Sequence, residues 1–130
     1  MFDHIGFPVS NLLHSKRFYQ TALEPLGVAI IMELTAEQTG TSAQVGFGEN
    51  GKPYFWIGDG EGVLRGRLHV AFTAKTRADV DAFYQAALAA GGRDNGKPGL
   101  RPHYHAHYYG AFVFDPDGHN IEAVCHSAEG

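Results

Sequence analysis

An internal repeat constrains this chain more than any other feature. When the 130-residue sequence is aligned with itself at an offset of 65, eight of the 24 positions from 4 to 27 are identical. Ordinary residue frequencies would give about one or two identities over such a window. The repeat therefore predicts two copies of one supersecondary unit, with a histidine near the start of the first strand of each copy. The identical pairs are His4/His69, Phe7/Phe72, Phe18/Phe83, Tyr19/Tyr84, Gln20/Gln85, Ala22/Ala87, Leu23/Leu88 and Gly27/Gly92.

Within each copy, the hydrophobic pattern changes from strand to helix and back to strand. Residues 2–9 and 68–73 alternate with the period of two that is typical of strands, and each is followed by a helical stripe of apolar residues. Three further strands follow in the first copy, which gives the order βαβββ. Residues 35–42 and 94–100 are polar or rich in Gly, Pro and Asn, so they predict loops, and His119 is predicted to be a solvated turn residue.

The bulk composition restricts the class of protein. The chain is 44% hydrophobic and 18% charged with a net charge of −4, so it lacks the basic footprint of a nucleic-acid-binding protein. No apolar run is long enough to span a bilayer, and the N-terminus has no secretory pattern. The single Cys125 excludes an intrachain disulfide and is typical of a reducing compartment. We expect a single-domain cytoplasmic protein that contacts neither nucleic acid nor membrane.

Glu122 stands in the middle of a short apolar strand, IEAV. A carboxylate inside a half-buried strand costs free energy unless it is paired or bound to a metal. Together with the two repeat-related histidines, His4 and His69, it makes a set of two imidazoles and one carboxylate. Such a set commonly binds a divalent cation such as Zn, Fe, Ni or Mn and leaves coordination positions open. Taken singly, a histidine in a strand is more often structural, and a glutamate in an edge strand is more often solvated.

Three stretches, DHIGF at the N-terminus, HVAF at the midpoint and DPDGHNIEAVCH at the end, resemble the vicinal oxygen chelate superfamily. That group includes glyoxalases, bleomycin- and fosfomycin-resistance proteins and extradiol dioxygenases. The resemblance implies an α+β fold in which two tandem βαβββ modules form a curved mixed sheet around a central cavity, with the helices outside. Module one would cover residues 1–58, a linker 59–66 and module two 67–130. The family's metal ligands correspond to His4, His69 and Glu122.

Glyoxalase I proteins add a fourth protein ligand at the end of the first module. Matching the turns of the two copies places Phe55 at that position, whereas the straight offset places Ile57 there. Both are apolar, so the resemblance to glyoxalase I is incomplete, and the three-ligand set is closer to the dioxygenases and the fosfomycin-resistance enzymes. The latter place a hydroxyl residue two positions after the first histidine, where this chain has Gly6.

The segment RPHYHAHYY, residues 101–109, is the candidate for substrate contacts and proton transfer. His105 and Tyr108 are predicted catalytic residues beside Glu122, since histidine titrates near neutral pH. Arg101 could bind a carboxylate or phosphonate through two hydrogen bonds. Trp56 and Phe47 are predicted to line an apolar pocket, although core packing fits Phe47 as well. A solvated surface loop, or an additional adventitious metal site, is the alternative for the histidine-rich segment.

Two functions are consistent with these features. The first is an enzyme that depends on one divalent metal and acts on a small molecule through two adjacent oxygens, as a lyase, isomerase or dioxygenase. The alternative is a metal-free protein of the bleomycin-resistance type that sequesters its ligand. Since the resemblance includes many dimers, some of which exchange modules, a homodimer is expected.

Overall fold

The computed structural model describes residues 1–62 and 68–128. The predicted α+β architecture of two βαβββ modules is confirmed, with two four-stranded mixed sheets that do not close on each other. Half of the predicted linker, residues 63–66 of 59–66, lies outside the described residues, so the module boundaries stay a prediction. Module one consists of β1 (Ile5–Pro8), α1 (Leu12–Ala22), a 3-10 turn (Glu24–Leu26), β2 (Ala29–Leu34), α2 (Ala36–Thr39), β3 (Gln44–Glu49) and β4 (Lys52–Gly58); module two consists of β5 (His69–Thr73), α3 (Arg77–Ala89), β6 (Arg93–Leu100), β7 (Tyr109–Phe114) and β8 (Asn120–Cys125).

The two sheets have the same topology, as the repeat predicts. Their strand orders are β1-β4-β3-β2 and β5-β8-β7-β6, and the first pair in each sheet is parallel while the others are antiparallel. Strand β1, which directly follows His4, and strand β5, which begins at His69, therefore stand at the end of their sheets. In the described part of the chain, each of them pairs with one neighbour and has one open edge.

Side-chain caps and apolar stripes explain where the long helices form. Asn11 accepts a hydrogen bond from the His14 amide at the start of α1, and Thr76 accepts one from the Asp79 amide at the start of α3. The buried faces of the two helices carry the residues that the repeat aligns: Phe18, Tyr19 and Ala22 in α1, and Phe83, Tyr84 and Ala87 in α3. Because both stripes are buried, the residues that the repeat conserves in the helices pack in the core and do not form a surface.

Two predicted loops contain regular structure, so those predictions were wrong. Residues 35–42 include α2, because Thr35 and Gln38 form a reciprocal capping box. Residues 94–100 belong to β6, which pairs only with β7 among the described strands and shows register shifts at Gly96. An edge strand tolerates Pro and Gly because one row of its backbone groups faces solvent, and composition alone did not reveal this.

The turn between β7 and β8 fastens module two onto module one. Tyr19 donates a hydrogen bond to the buried Asp115, and the Ser10 amide donates to Asp117 over 3.0 Å. The predicted solvation of His119 was wrong: its side chain is 1% exposed, and its ring meets Phe7 edge-on at 5.2 Å between centroids. The sequence pattern of a Pro-Gly turn indicates a bend but does not indicate what the turn packs against.

Tyr19 gives a prediction about alkaline stability. Burial, and then the charge of Asp115, raise the pKa of Tyr19 well above its ordinary value of 10.0. Above pH 10.0, the ordinary pKa, the folded state still holds the Tyr19 proton that the unfolded state has lost. The free energy of unfolding should therefore fall by up to about 1.4 kcal/mol for each further pH unit. Below pH 10 this contribution is complete. Urea unfolding from about pH 9 to about pH 11 should therefore give a shallower slope for Tyr19→Phe than for the wild type.

The matched control for this prediction is Tyr104→Phe, because Tyr104 is 60% exposed. Its slope should equal that of the wild type. Equal slopes for the wild type and Tyr19→Phe would contradict the assignment of the alkaline transition to Tyr19.

Candidate metal centre

His69 and Glu122 come together on the open face of the second sheet. The parallel pairing of β5 with β8 places Ala71 opposite Glu122, and His69 lies on the same face two residues earlier. The His69 Nε2 and Glu122 Oε1 atoms are 3.0 Å apart. Glu122 is 1% exposed, whereas the His69 side chain is 45% exposed. A buried acid thus faces an imidazole that solvent can reach.

The hydrogen bond of His69 Nδ1 determines the protonation of Nε2 in the neutral ring. His69 Nδ1 is 3.0 Å from the backbone carbonyl oxygen of Asn120. A carbonyl oxygen only accepts hydrogen bonds, so Nδ1 carries the proton and donates it. In the neutral ring, Nε2 then carries the lone pair and lies 3.0 Å from a carboxylate oxygen. Two acceptors 3.0 Å apart need a positive charge between them, supplied either by a second ring proton or by a cation.

Tyr108 occupies the other oxygen of the same carboxylate. Its hydroxyl donates a hydrogen bond to Glu122 Oε2. Burial, followed by this hydrogen bond to Glu122, raises the pKa of Tyr108 far above its ordinary value of 10.0. Tyr108 therefore remains a neutral donor at physiological pH, and the two oxygens of Glu122 have different partners.

His4 lies apart from this pair. Its Nδ1 is 2.7 Å from Asp3, and Lys52 donates to the same carboxylate over 2.8 Å. Lys52, and then His4, lower the pKa of Asp3. His4 and His69 line one groove of about 590 Å³ together with apolar residues of both modules. Within residues 1–62 and 68–128, however, no three potential ligands form a cluster, so two of the three predicted ligands are brought together in one chain.

Trp56 occupies the position that corresponds to Glu122 in the first module. Gly6 pairs with Trp56 in β4, just as its repeat partner Ala71 pairs with Glu122. The expectation of Phe55 or Ile57 at this position was wrong. The stretch of chain from Gly6 to its partner Trp56 is one residue shorter than the stretch from Ala71 to Glu122. The indole lies over Gly46, where an added Cβ would be 2.8 Å from the ring. The first-module position that corresponds to Glu122 is therefore filled by an aromatic ring.

The other candidate residues are distributed between core, loop and surface. Phe47 is fully buried and packs with Tyr19 and Phe55, so it offers no surface to a substrate. The Arg101 guanidinium donates to the carbonyl oxygens of Lys97 and Gly99. His105 is exposed, and its ring lies 5.8 Å from that of His126.

Two neighbours of the candidate ligands were missed from the sequence. The Asn120 carbonyl orients His69, and a backbone carbonyl leaves no signal in residue types. Asp3 holds His4, and its place directly before the histidine was a signal that could have been used. Both fit the general rule that a metal-binding histidine donates its other N–H to an acceptor.

A family model described as the Glyoxalase/Bleomycin resistance protein/Dioxygenase superfamily matches residues 1–123. The chain belongs to this superfamily. The resemblance to vicinal oxygen chelate proteins is thereby confirmed. Members of the superfamily act on small molecules, often as dimers, and commonly use a divalent metal. None of the described helices is long and apolar enough to cross a membrane.

Solved structures of superfamily members match nearly the whole chain. A glyoxalase/bleomycin resistance protein from Albidiferax ferrireducens T118 is 28% identical with a TM-score of 0.75, and the match covers 96% of this chain and 98% of that one. A glutamate-to-glutamine mutant of the fosfomycin resistance protein FosX from Listeria monocytogenes, complexed with Mn(II) and 1S,2S-dihydroxypropylphosphonic acid, is 20% identical with a TM-score of 0.69, covering 100% and 93%.

A glutamate-to-glutamine mutant of glyoxalase I from Zea mays is 21% identical with a TM-score of 0.72, and the match covers 95% of this chain but 46% of that one. This superfamily member thus spans about half of the maize enzyme. No functionally curated protein matches the chain.

Proposed function

We propose that this superfamily member is a divalent-metal-dependent enzyme that acts on a small substrate through two adjacent oxygens. His69 and Glu122 of one chain would hold the cation together with His4 of a second copy. The observation that carries the proposal is the 3.0 Å approach of His69 Nε2 to Glu122 Oε1 while Nδ1 is committed to the Asn120 carbonyl. The neutral histidine and the carboxylate have a place for positive charge between them.

The residues present fit such a cation. His69 Nε2 and Glu122 Oε1 are 3.0 Å apart, close enough for both to bind one cation with bonds of about 2.1 Å. Two imidazoles and one carboxylate leave open positions, and a d-block or zinc ion accepts this set. When bound, the cation would supply Lewis acidity to substrate oxygens.

The open edges of β1 and β5 support a site shared between two copies. Contacts such as Tyr19 with Asp115 hold the two modules of one chain together, so a rigid shift that joins His4 to His69 would break buried interactions. A second copy could instead present His4 to the open face of β5 without disturbing this core. The twofold symmetry of a dimer would complete two equivalent sites.

The protein side of the chemistry rests on three groups. The Asn120 carbonyl orients His69, and Tyr108 supplies a neutral hydroxyl beside Glu122. His105, on the exposed loop above, is the proposed group for proton transfer to or from solvent. Because Trp56 replaces a fourth ligand, the three-ligand chemistry of a FosX-like enzyme fits better than that of glyoxalase I. The ligand bound to FosX also carries two adjacent oxygens.

The test is metal content and activity. Protein purified without chelator should contain one divalent cation per chain by elemental analysis, and the metal-loaded protein should act on at least one compound of a panel that contains methylglyoxal hemithioacetal, catechol and fosfomycin. Wild-type protein that binds no Mn²⁺, Zn²⁺, Ni²⁺ or Fe²⁺ in calorimetric titration would overturn the proposal.

A ligand-sequestering protein of the bleomycin-resistance type is the second candidate. The groove between the modules favours it, because Phe2, Tyr54 and Val70 give its wall an apolar character. This function requires binding of an apolar molecule to metal-free protein, with no turnover. Full binding in the presence of a chelator would favour it over the enzyme.

A further inference from the structure

The loop of residues 101–108 carries Tyr108 to Glu122 and is closed by its own backbone. The Arg101 amide donates to the Tyr108 carbonyl over 2.7 Å, and the Tyr108 amide donates to the His105 carbonyl over 3.1 Å. The first bond joins the two ends of the loop, and the second closes a turn that ends at Tyr108. The backbone of Tyr108 is therefore held by hydrogen bonds within the loop.

Arg101 fastens the base of this loop to the sheet. Its Nη1 donates to the Gly99 carbonyl over 2.9 Å, and its Nη2 donates to the Lys97 carbonyl over 2.7 Å. The guanidinium also lies over the Phe112 ring, 5.4 Å from its centroid. With these contacts Arg101 anchors the loop.

The surroundings of Tyr108 are shaped to place its ring on the carboxylate. Tyr104 and His126 contact the ring edge-on, with centroids at 5.0 and 5.3 Å. Gly110 lies beneath both groups: an added Cβ there would be 3.2 Å from Tyr108 Cε1 and 3.3 Å from Glu122 Oε2. The absence of a side chain at Gly110 thus leaves the space in which phenol and carboxylate meet.

We propose that Tyr108 is a positioning residue that reserves Oε2 of Glu122 and so restricts the carboxylate to one-oxygen coordination through Oε1. This role of Tyr108 rests on the proposed function. It adds a hydrogen bond that keeps coordination positions of the cation open. A carboxylate can bind a cation with one oxygen or with two. If both oxygens of Glu122 bound, one position needed by a substrate with two adjacent oxygens would be lost.

The test uses Co²⁺ alone, whose visible absorption weakens as the number of ligands increases. The wild type and Tyr108→Phe should each bind one Co²⁺ per site, but the variant should absorb more weakly because Oε2 becomes a ligand. Oxalate, a small anion with adjacent oxygens, should bind the Co²⁺-loaded variant about tenfold more weakly. Tyr104→Phe is the matched control, since it alters a neighbouring phenol but leaves the hydrogen bond from Tyr108 to Glu122 in place.

A second variant keeps the test decisive if Tyr108→Phe folds poorly. Gly110→Ala retains the phenol but crowds it and the carboxylate, because the new methyl group would stand 3.2 Å from the Tyr108 ring and 3.3 Å from Glu122 Oε2. By separating the two groups it should weaken the Co²⁺ absorption in the same way. Spectra of both variants equal to the wild-type spectrum would overturn the role of Tyr108 while leaving the metal site intact. Failure of the wild type to bind Co²⁺ would instead overturn the proposed function.

Discussion

Glu122→Gln is expected to abolish tight metal binding while leaving the fold intact. The substitution keeps the shape of the side chain and an oxygen for the Tyr108 hydroxyl, but it removes the charge that faces His69. Loss of an outer partner of a metal ligand costs about 10- to 100-fold in affinity, so loss of a charged ligand should cost at least about 100-fold.

The thermal shift gives a quantitative form of this prediction. At a metal concentration of about 100 times the dissociation constant, the wild type should gain about 2.7 kcal/mol in free energy of unfolding. For a domain of this size that gain raises Tm by about 10 °C. The same concentration should give Glu122→Gln about 0.4 kcal/mol, a shift of about 2 °C or less. Differential scanning calorimetry with and without metal measures both values.

The control is Glu37→Gln, because Glu37 is an exposed acid in the first turn of α2. It should retain the full metal-induced shift of the wild type. If Glu122→Gln retained it as well, the cation would bind elsewhere and the pair with His69 would be an ordinary ion pair.

The fold could be predicted because the repeat and the strand periods recur in both halves. His4 and His69 identified the two equivalent strands, and each is indeed the strand that pairs in parallel with the last strand of its module. An acid in an apolar strand likewise identified Glu122, which is buried and has polar partners. These signals are local, so a single sequence carries them.

The register of the strands, the environment of Phe47 and the docking of the modules depend on long-range packing, which local sequence patterns do not show. Trp56 rather than Phe55 or Ile57 corresponds to Glu122, since strand register depends on pairing across the sheet and not on sequence offset. Phe47 could not be assigned to core or pocket because both environments select aromatic residues. Whether His4 meets its own chain's His69 or that of a second copy depends on how the modules dock, and turn residues such as His119 determine the docking.

Mixing two inactive variants is expected to restore metal sites. If His4 of one copy completes the site of the other, a dimer of one His4→Ala chain and one Glu122→Ala chain has one site with both defects and one intact site. Random pairing makes about half of the dimers mixed, and one of the two sites in each mixed dimer is intact. The mixture should therefore bind about a quarter as much metal per chain as the wild type. His4→Ala should fold normally, because the His4 side chain is 60% exposed. Co-expression of the two chains, followed by metal analysis, measures the recovered fraction.

The matched control combines His69→Ala with Glu122→Ala. These residues belong to the same half of the proposed site, 3.0 Å apart in one chain, so every mixed dimer has a defect in both sites and should recover nothing. Recovery in the first mixture but not in the second requires a site built from two chains. No recovery in either mixture, with dimers confirmed by mass, would place His4 and His69 of the same chain around the cation, because every site would then carry the defect of its own chain.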